Sequence, residues 1–433
     1  MDKRVVCWFS LWMALCLVVA SLPGCSPKGP ATVAKAEVLQ SDKPRLSAPS
    51  LQEARVPDLV AGNTLFAFDL YRTLFDQELN VFYSPYSISL ALAMTYAGAR
   101  GDTALEMAQA LHLALPQERL HAASNALDQA LASRGTTVTQ EGERFRLHVT
   151  NALWGQKDYA FLAAFLDLLA QNYGAGLRLL DFQGAPEASR QTINQWVEEQ
   201  TEQKIRDLLP SGSITPLTRL VLSNAIYFNA GWMYPFPESA TADGAFYLLK
   251  GSTVNVPLMQ QSERLGYAEG PGYQAVELPY LGGELSMVVL LPAEGQFERL
   301  AQGLDAAQLA DILGRIEHTQ VALTLPRFKY ESEFPLKEAL QRLGMEEAFS
   351  TNADFSGMDG RRDLFIDNVY HKAFVAVDEK GTEAAAATAV VIALTSMPAE
   401  PKEVRVDRPF LFLIRDVESG AILFLGHVVN PTK

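Results

Sequence analysis

The chain has 433 residues, 48% of them hydrophobic, three cysteines and a formal net charge of −14. That apolar content fits a globular protein of one large or two ordinary domains and excludes disorder, collagen and a polytopic membrane protein. The acidic balance argues against nucleic acid, and the confinement of Cys7, Cys16 and Cys25 to the first 25 residues excludes a disulfide framework or Cys-rich zinc site beyond them.

The N-terminus reads as an address. Lys3 and Arg4 precede an apolar run from Val5 to Ala20, the pattern of a signal peptide rather than a spanning helix. The run ends in Leu22-Pro23-Gly24-Cys25, which resembles the bacterial lipobox, in which the cysteine is lipidated and becomes the mature N-terminus. An ordinary secretory signal is the other reading. Residues 25–56 carry scattered prolines and no helical or strand periodicity, so a flexible tether is expected there. Residues 1–57 hold seven basic and four acidic side chains, leaving −17 for the body. A basic tether under an acidic body suits attachment to an anionic lipid surface.

The body, 57–433, shows no second linker and no internal repeat. Leu65, Phe66, Phe68, Leu70, Tyr71 and Leu74 recur at helical spacing, and Ser84-Pro85 opens a second helix ending near Gly98. Asp102 is expected to cap a third, and 117–133, 158–173 and 186–206 supply three more. Strands enter at 147–154 and 219–229 and dominate after 245, with a hairpin over Val276–Leu291 turning at Gly282-Gly283. Helices first and strands later, without regular alternation, predict an α+β fold: helices in the N-terminal half packed on mainly antiparallel sheets.

Motifs for catalysis are missing: no H-E-x-x-H, G-x-S-x-G or Walker loop occurs, and the six histidines are dispersed. His371 sits in an apolar strand-like run, Phe365–Val377, and reads as a hydrogen-bonded core histidine. Nothing nominates a cofactor or a metal.

The informative stretch is 378–398. Thr382–Ala389 suits a helix by propensity, whereas Thr388–Ile392 suits a strand. Conflicting local preferences in one segment are what a conformational switch needs. The small side chains of Ala384, Ala385, Ala386 and Ala387 also suit insertion between existing strands.

Glu379-Lys380-Gly381-Thr382-Glu383 followed by those four alanines resembles the hinge of the reactive-centre loop of inhibitory serpins, and the likeness spans about 57–433. Asn80–Ser87, Asn224–Phe228 with Gly231-Trp232, Leu364–Ala376, Asp407–Phe412 and Phe424–Pro431 resemble further serpin motifs in order. At Asn229-Ala230, members commonly carry a Lys-Gly pair instead. The resemblance implies a serpin fold with an exposed reactive-centre loop near 380–402. It also implies a suicide substrate, not an enzyme: a serine endopeptidase cleaves the loop, which then inserts into the main sheet and drags the acyl-enzyme away. Residues 382–395 span about 46 Å as a strand. The family register puts the scissile bond at Thr395–Ser396, with Leu394 as the alternative and Met397 a weaker one. The absence of Arg or Lys between 381 and 401 favours elastase-, chymotrypsin- or subtilisin-like targets over trypsin-like ones.

By the same resemblance, Ser84, Ser87, Asn224 and His371 match the shutter where the sheet parts, and Glu379 with Arg327 a pair at the top of the hinge. Only Arg119 and Arg134 are basic within 102–135, where some members bind heparin, so no such cofactor is expected. The resulting expectation is an exported, monomeric protease inhibitor, lipid-anchored to the cell envelope if Cys25 is modified. A non-inhibitory carrier or chaperone with the same fold is the alternative.

Overall fold

The computed structural model describes residues 35–134, 146–382 and 400–433. In chain order the elements are β1 (Glu37–Leu39), α1 (Val56–Leu74), β2 (Val81–Tyr83), α2 (Pro85–Tyr96), α3 (Gly101–Ala110), α4 (Gln117–Ser133), β3 (Arg146–Gln156), α5 (Ala163–Tyr173), β4 (Leu177–Leu180), α6 (Pro186–Gln200) and β5 (Leu220–Gly231). There follow β6 (Ala242–Tyr247), β7 (Thr253–Gly270), β8 (Tyr273–Pro279), β9 (Leu285–Pro292), α7 (Phe297–Gly303), α8 (Ala306–Gly314), β10 (Glu317–Pro326), β11 (Phe328–Pro335) and α9 (Lys337–Arg342). The chain ends with α10 (Ser356–Asp359), β12 (Ile366–Val377), β13 (Gly381–Thr382), β14 (Lys402–Arg405), β15 (Phe410–Asp416) and β16 (Ile422–Val428).

Two sheets carry the fold. A seven-stranded sheet runs β1-β4-β3-β5-β13-β12-β11, and a nine-stranded one runs β14-β10-β7-β8-β9-β15-β16-β2 with β6 on β7. Most ladders are antiparallel; β3–β4, β5–β12 and β10–β14 are parallel. The α+β expectation therefore stands.

Strand alternation explains why β5 and β12 read as nearly continuous apolar runs: both faces are covered. Leu220, Leu222, Ile226 and Phe228 of β5 face the main core with α1 and α2, while Val221 and Ala225 face a second cluster roofed by α6 and the segment after it. Ser84 caps α2 by accepting the Ser87 N–H at 3.0 Å, and Pro85 at the first turn needs no donor.

Two expectations change. Asp102 lies in the first turn of α3 rather than at its cap; Arg100 holds that place, its N–H bonded to the Asp354 carbonyl from a distant loop. Strands dominate after 245 as expected, interrupted by the short helices α7–α10, and Asp305 caps α8 by accepting the Gln308 N–H at 2.8 Å. The second change concerns the expected flexible tether. Its described part is bound to the body: β1 pairs with β4, Lys43 bonds Asp167 at 2.6 Å, and Arg45 bonds Asn125 and Asp128. Periodicity within ten residues cannot reveal pairing with a strand about 140 positions later.

Candidate functional site

The slot between β5 and β12 is the centre of the arrangement. The two strands pair directly from Ile366↔Leu220 to Ala373↔Ile226, and beyond that they diverge around β13. There Gly381 faces Gly231 and Thr382 faces Ala230, while Thr382 also pairs with Val377. Two residues of the predicted hinge thus already begin a strand in this gap.

Aromatic and polar contacts hold that start. The Trp232 indole donates to the Asp378 carbonyl at 3.0 Å, and the Trp232 N–H donates to the Lys380 carbonyl at 2.8 Å. Trp232 stacks on Tyr280 at 4.6 Å, and the Tyr280 hydroxyl meets that of Thr382 at 2.7 Å. Glu379 is buried and receives Arg327 Nε at 2.7 and 2.8 Å, together with the Thr241 hydroxyl. Burial alone disfavours its ionised form, but the bonds from Arg327 and Thr241 outweigh that and hold its carboxyl below the usual range. Arg327 and Glu379 therefore do come together, 52 positions apart, beside an open cleft of about 600 Å³ bounded by Phe328, Val377 and Lys380.

Lower in the slot, the four predicted polar residues form one network. The Ser84 N–H donates to His371 Nε2 at 3.2 Å, so the ring proton sits on Nδ1 and is directed to Asn224 Oδ1. The Asn224 amide in turn donates to Ser87 Oγ at 2.7 Å and to Asn151. Burial depresses the His371 pKa to about 3, keeping the ring neutral. Sequence reasoning missed Asn151, which lies directly opposite Asn224 in the β3–β5 register. A lone amide in an apolar strand was the available signal.

Lys372 was also passed over. Pointing to the opposite face from His371, it donates to the Arg206 carbonyl at 2.9 Å and pairs with Glu331 at 3.0 Å. It thereby pins to β12 the segment that follows α6. That segment holds Glu202, Gln203 and Asp207 at φ of 50°, 63° and 48°, a left-handed conformation rare for these side chains. Arg134 of the expected non-heparin region bonds Asp416 and Glu418, both at 2.7 Å. Glu383, Ala384–Ala387, Leu394, Thr395, Ser396 and Cys25 lie outside the described residues.

Comparison with known proteins gives a consistent result. The family model "Serpin (serine protease inhibitor)" matches residues 61–431. An uncharacterised serpin-like protein of Thermococcus kodakarensis is 41% identical over 88% of each chain. The leukocyte elastase inhibitor of Bos taurus is 42% identical over 86% of this chain and 99% of its own. Among solved structures, the native state of the thermophilic serpin tengpin has a TM-score of 0.81 at 29% identity, covering 92% of this chain and all of that one. Human thyroxine-binding globulin complexed with thyroxine has 0.77 at 32% identity, covering 87% of this chain and all of its own. Uncleaved ovalbumin has 0.76 at 27%, covering 86% and 100%.

Proposed function

The chain belongs to the serpin family, and from that premise we propose that it is a suicide-substrate inhibitor of serine endopeptidases. The supporting observation is the hinge: Gly381-Thr382 start a strand in the β5–β12 slot, and the sequence continues with Glu383 and four alanines that fit between strands. The target's serine attacks the Thr395 carbonyl, and the amine of Ser396 leaves with the proton relayed by the target's histidine. The resulting ester joins protease to loop. Insertion then carries the ester about 46 Å along the sheet. A catalytic triad tolerates far smaller displacements, so hydrolysis of the ester stalls. The chain turns over nothing itself.

The elastase inhibitors among its relatives and the uncharged residues around 395 favour an elastase-, chymotrypsin- or subtilisin-like target. Residues 1–24 are proposed as a signal peptide and Cys25 as a lipid anchor, placing the protein on the cell envelope; otherwise it is secreted or periplasmic. Mass analysis of the mature N-terminus tests this. The second reading, a non-inhibitory carrier, is raised by the thyroxine-binding globulin and ovalbumin neighbours. It lacks the bulky, charged or proline residues at 384–389 that block insertion.

Incubation with the three protease classes, followed by denaturing electrophoresis, separates the readings. A covalent complex is expected, with a released fragment beginning at Ser396. Clean cleavage without a complex supports the carrier; a fragment starting at Thr395 moves the scissile bond to Leu394–Thr395.

A further inference from the structure

We propose that the end of the seven-stranded sheet opposite the hinge, carrying Leu162 and Leu217, is the face that rests on a lipid bilayer and turns the reactive-centre loop away from it. The inference rests on the lipid anchor proposed at Cys25 and on the inhibitory reading.

Strand direction decides at which end the N-terminal segment leaves the body. Glu37 faces Leu179, Leu179 faces Gly155, and Gly155 faces Leu220, so four strands share one row. The hinge enters beside Gly231, eleven residues away along β5 and therefore about 36 Å from that row. Because β1 runs antiparallel to β4, with Leu39 opposite Leu177, the chain before Glu37 departs at the end remote from the hinge. Twelve residues separate Glu37 from Cys25, a reach of at most about 43 Å. A lipid on Cys25 is thus attached at this end, and the side chains exposed there meet the membrane.

Those side chains are apolar at the centre. The connection from β3 to α5, Tyr159-Ala160-Phe161-Leu162-Ala163-Ala164, carries no charge, and Leu162 is 41% exposed. Leu217, just ahead of β5, is 73% exposed, more than any other large apolar side chain among the described residues. The two segments lie at the same row. The Gln156 N–H bonds the Arg219 carbonyl, and a Cβ on Gly155 would meet the Phe161 ring at 3.2 Å. Leucines exposed on a protein surface gain by burial in the boundary between headgroups and acyl chains.

Charge around the leucines is close to balanced. Lys157 pairs with Asp181 at 3.0 Å and Arg362 with Asp354 at 2.7 Å, while the exposed Asp158 and Asp363 are offset in number by Arg219 and Arg361. Lys35 adds a cation where the chain departs. Anionic lipid repels a body of −17, and a face with little net charge lets that body approach.

Inhibition makes the contact exclusive. Continuing the antiparallel pairing of Gly381 with Gly231 brings Thr395 against Leu217. The ester-linked protease therefore arrives at the face that lipid occupied, and the body lifts off while the anchor keeps it attached.

The experiment uses the full lipidated chain on phosphatidylcholine vesicles containing phosphatidylglycerol and a doxyl-labelled lipid quencher. Leu217→Cys and, separately, Leu281→Cys at the hinge end carry a fluorophore; Cys25 is blocked by its lipid, and Cys7 and Cys16 leave with the signal. The probe at 217 should lose most of its emission and the probe at 281 none, and Leu162→Asp should restore part of the emission at 217. Complex formation with an elastase-like protease should restore it fully while the complex still sediments with the vesicles. Vesicle-bound protein with no quenching at 217, with equal quenching at both positions, or with quenching untouched by Leu162→Asp overturns the contact and leaves the anchor standing. Quenching that persists in the covalent complex overturns the exclusive arrangement. Mature protein without lipid on Cys25 that does not sediment with vesicles overturns the anchor itself, and the contact with it.

Discussion

The two sheets are held by different chemistry at their centres. In the nine-stranded sheet and its surroundings the contacts are aromatic and dry: Phe82 stacks on Phe424 at 4.8 Å and on Phe412 at 5.6 Å, and Phe328 meets Phe412 at 5.4 Å. In the seven-stranded sheet, the corresponding interior carries Ser84, Ser87, Asn151, Asn224 and His371 in one hydrogen-bonded seam. Separating apolar surfaces costs in proportion to area, whereas a polar seam can exchange partners with an incoming strand. The first sheet is suited to staying closed and the second to opening.

Four perturbations break or sharpen that contrast. Phe412→Ala removes a fully buried ring and should cost about 3–5 kcal/mol. The urea midpoints of the uncleaved and loop-cleaved forms should fall together; a loss confined to one form contradicts a static role. Asn224→Ala leaves the buried His371 Nδ1–H without its acceptor, at about 2–3 kcal/mol. Here the uncleaved form should lose more than the cleaved one, and equal losses remove the seam's special status.

Acid should act through His371 of that seam and through two further buried histidines, His121 on α4 and His427 on β16. Burial lowers the pKa of His371 to about 3 and those of His121 and His427 to about 4. Unfolded imidazoles take up protons below about 6.5, while these native rings stay neutral until well below it. Stability should therefore fall as pH drops from 6.5 toward 4, by about 2 kcal/mol per histidine at pH 5. Urea titrations at stepped pH measure it, and the slope should flatten in His371→Gln; an unchanged slope discounts the seam histidine. The smallest effect belongs to Glu379→Ala. Because Arg327 is 44% exposed, its pair with Glu379 is worth only about 1 kcal/mol, or roughly fivefold in the rate of spontaneous inactivation. No change in that rate or in stability makes the pair irrelevant.

Much of this was legible in the residue order. The Ser84 cap, the amphipathic α1, the Gly282-Gly283 hairpin with φ of 93° and 72°, and the β12 run all follow from local periodicity and turn chemistry. Glu379, Gly381, Thr382 and the shutter residues were found by motif, and the structure brings them to the two ends of one slot. Asn151, Lys372 and the attachment of residues 37–46 were not found. Each acquires its role from a partner distant in sequence: Asn224 is 73 positions from Asn151, Arg206 is 166 from Lys372, and Asp128 is 83 from Arg45.

That distinction has a plain physical origin. Sequence alone specifies what depends on neighbours within a few residues: helix periods and caps, turn glycines, the small side chains after the hinge, and the uncharged stretch around 395. Register is different, because a shift of one residue exchanges the two faces of every strand, and burial over the whole sheet selects among the alternatives. Only the tertiary structure could therefore place Asn224 against His371 on the core face, Lys372 on the other, Gly381 against Gly231, and a stretch read as tether across the far end of the same sheet.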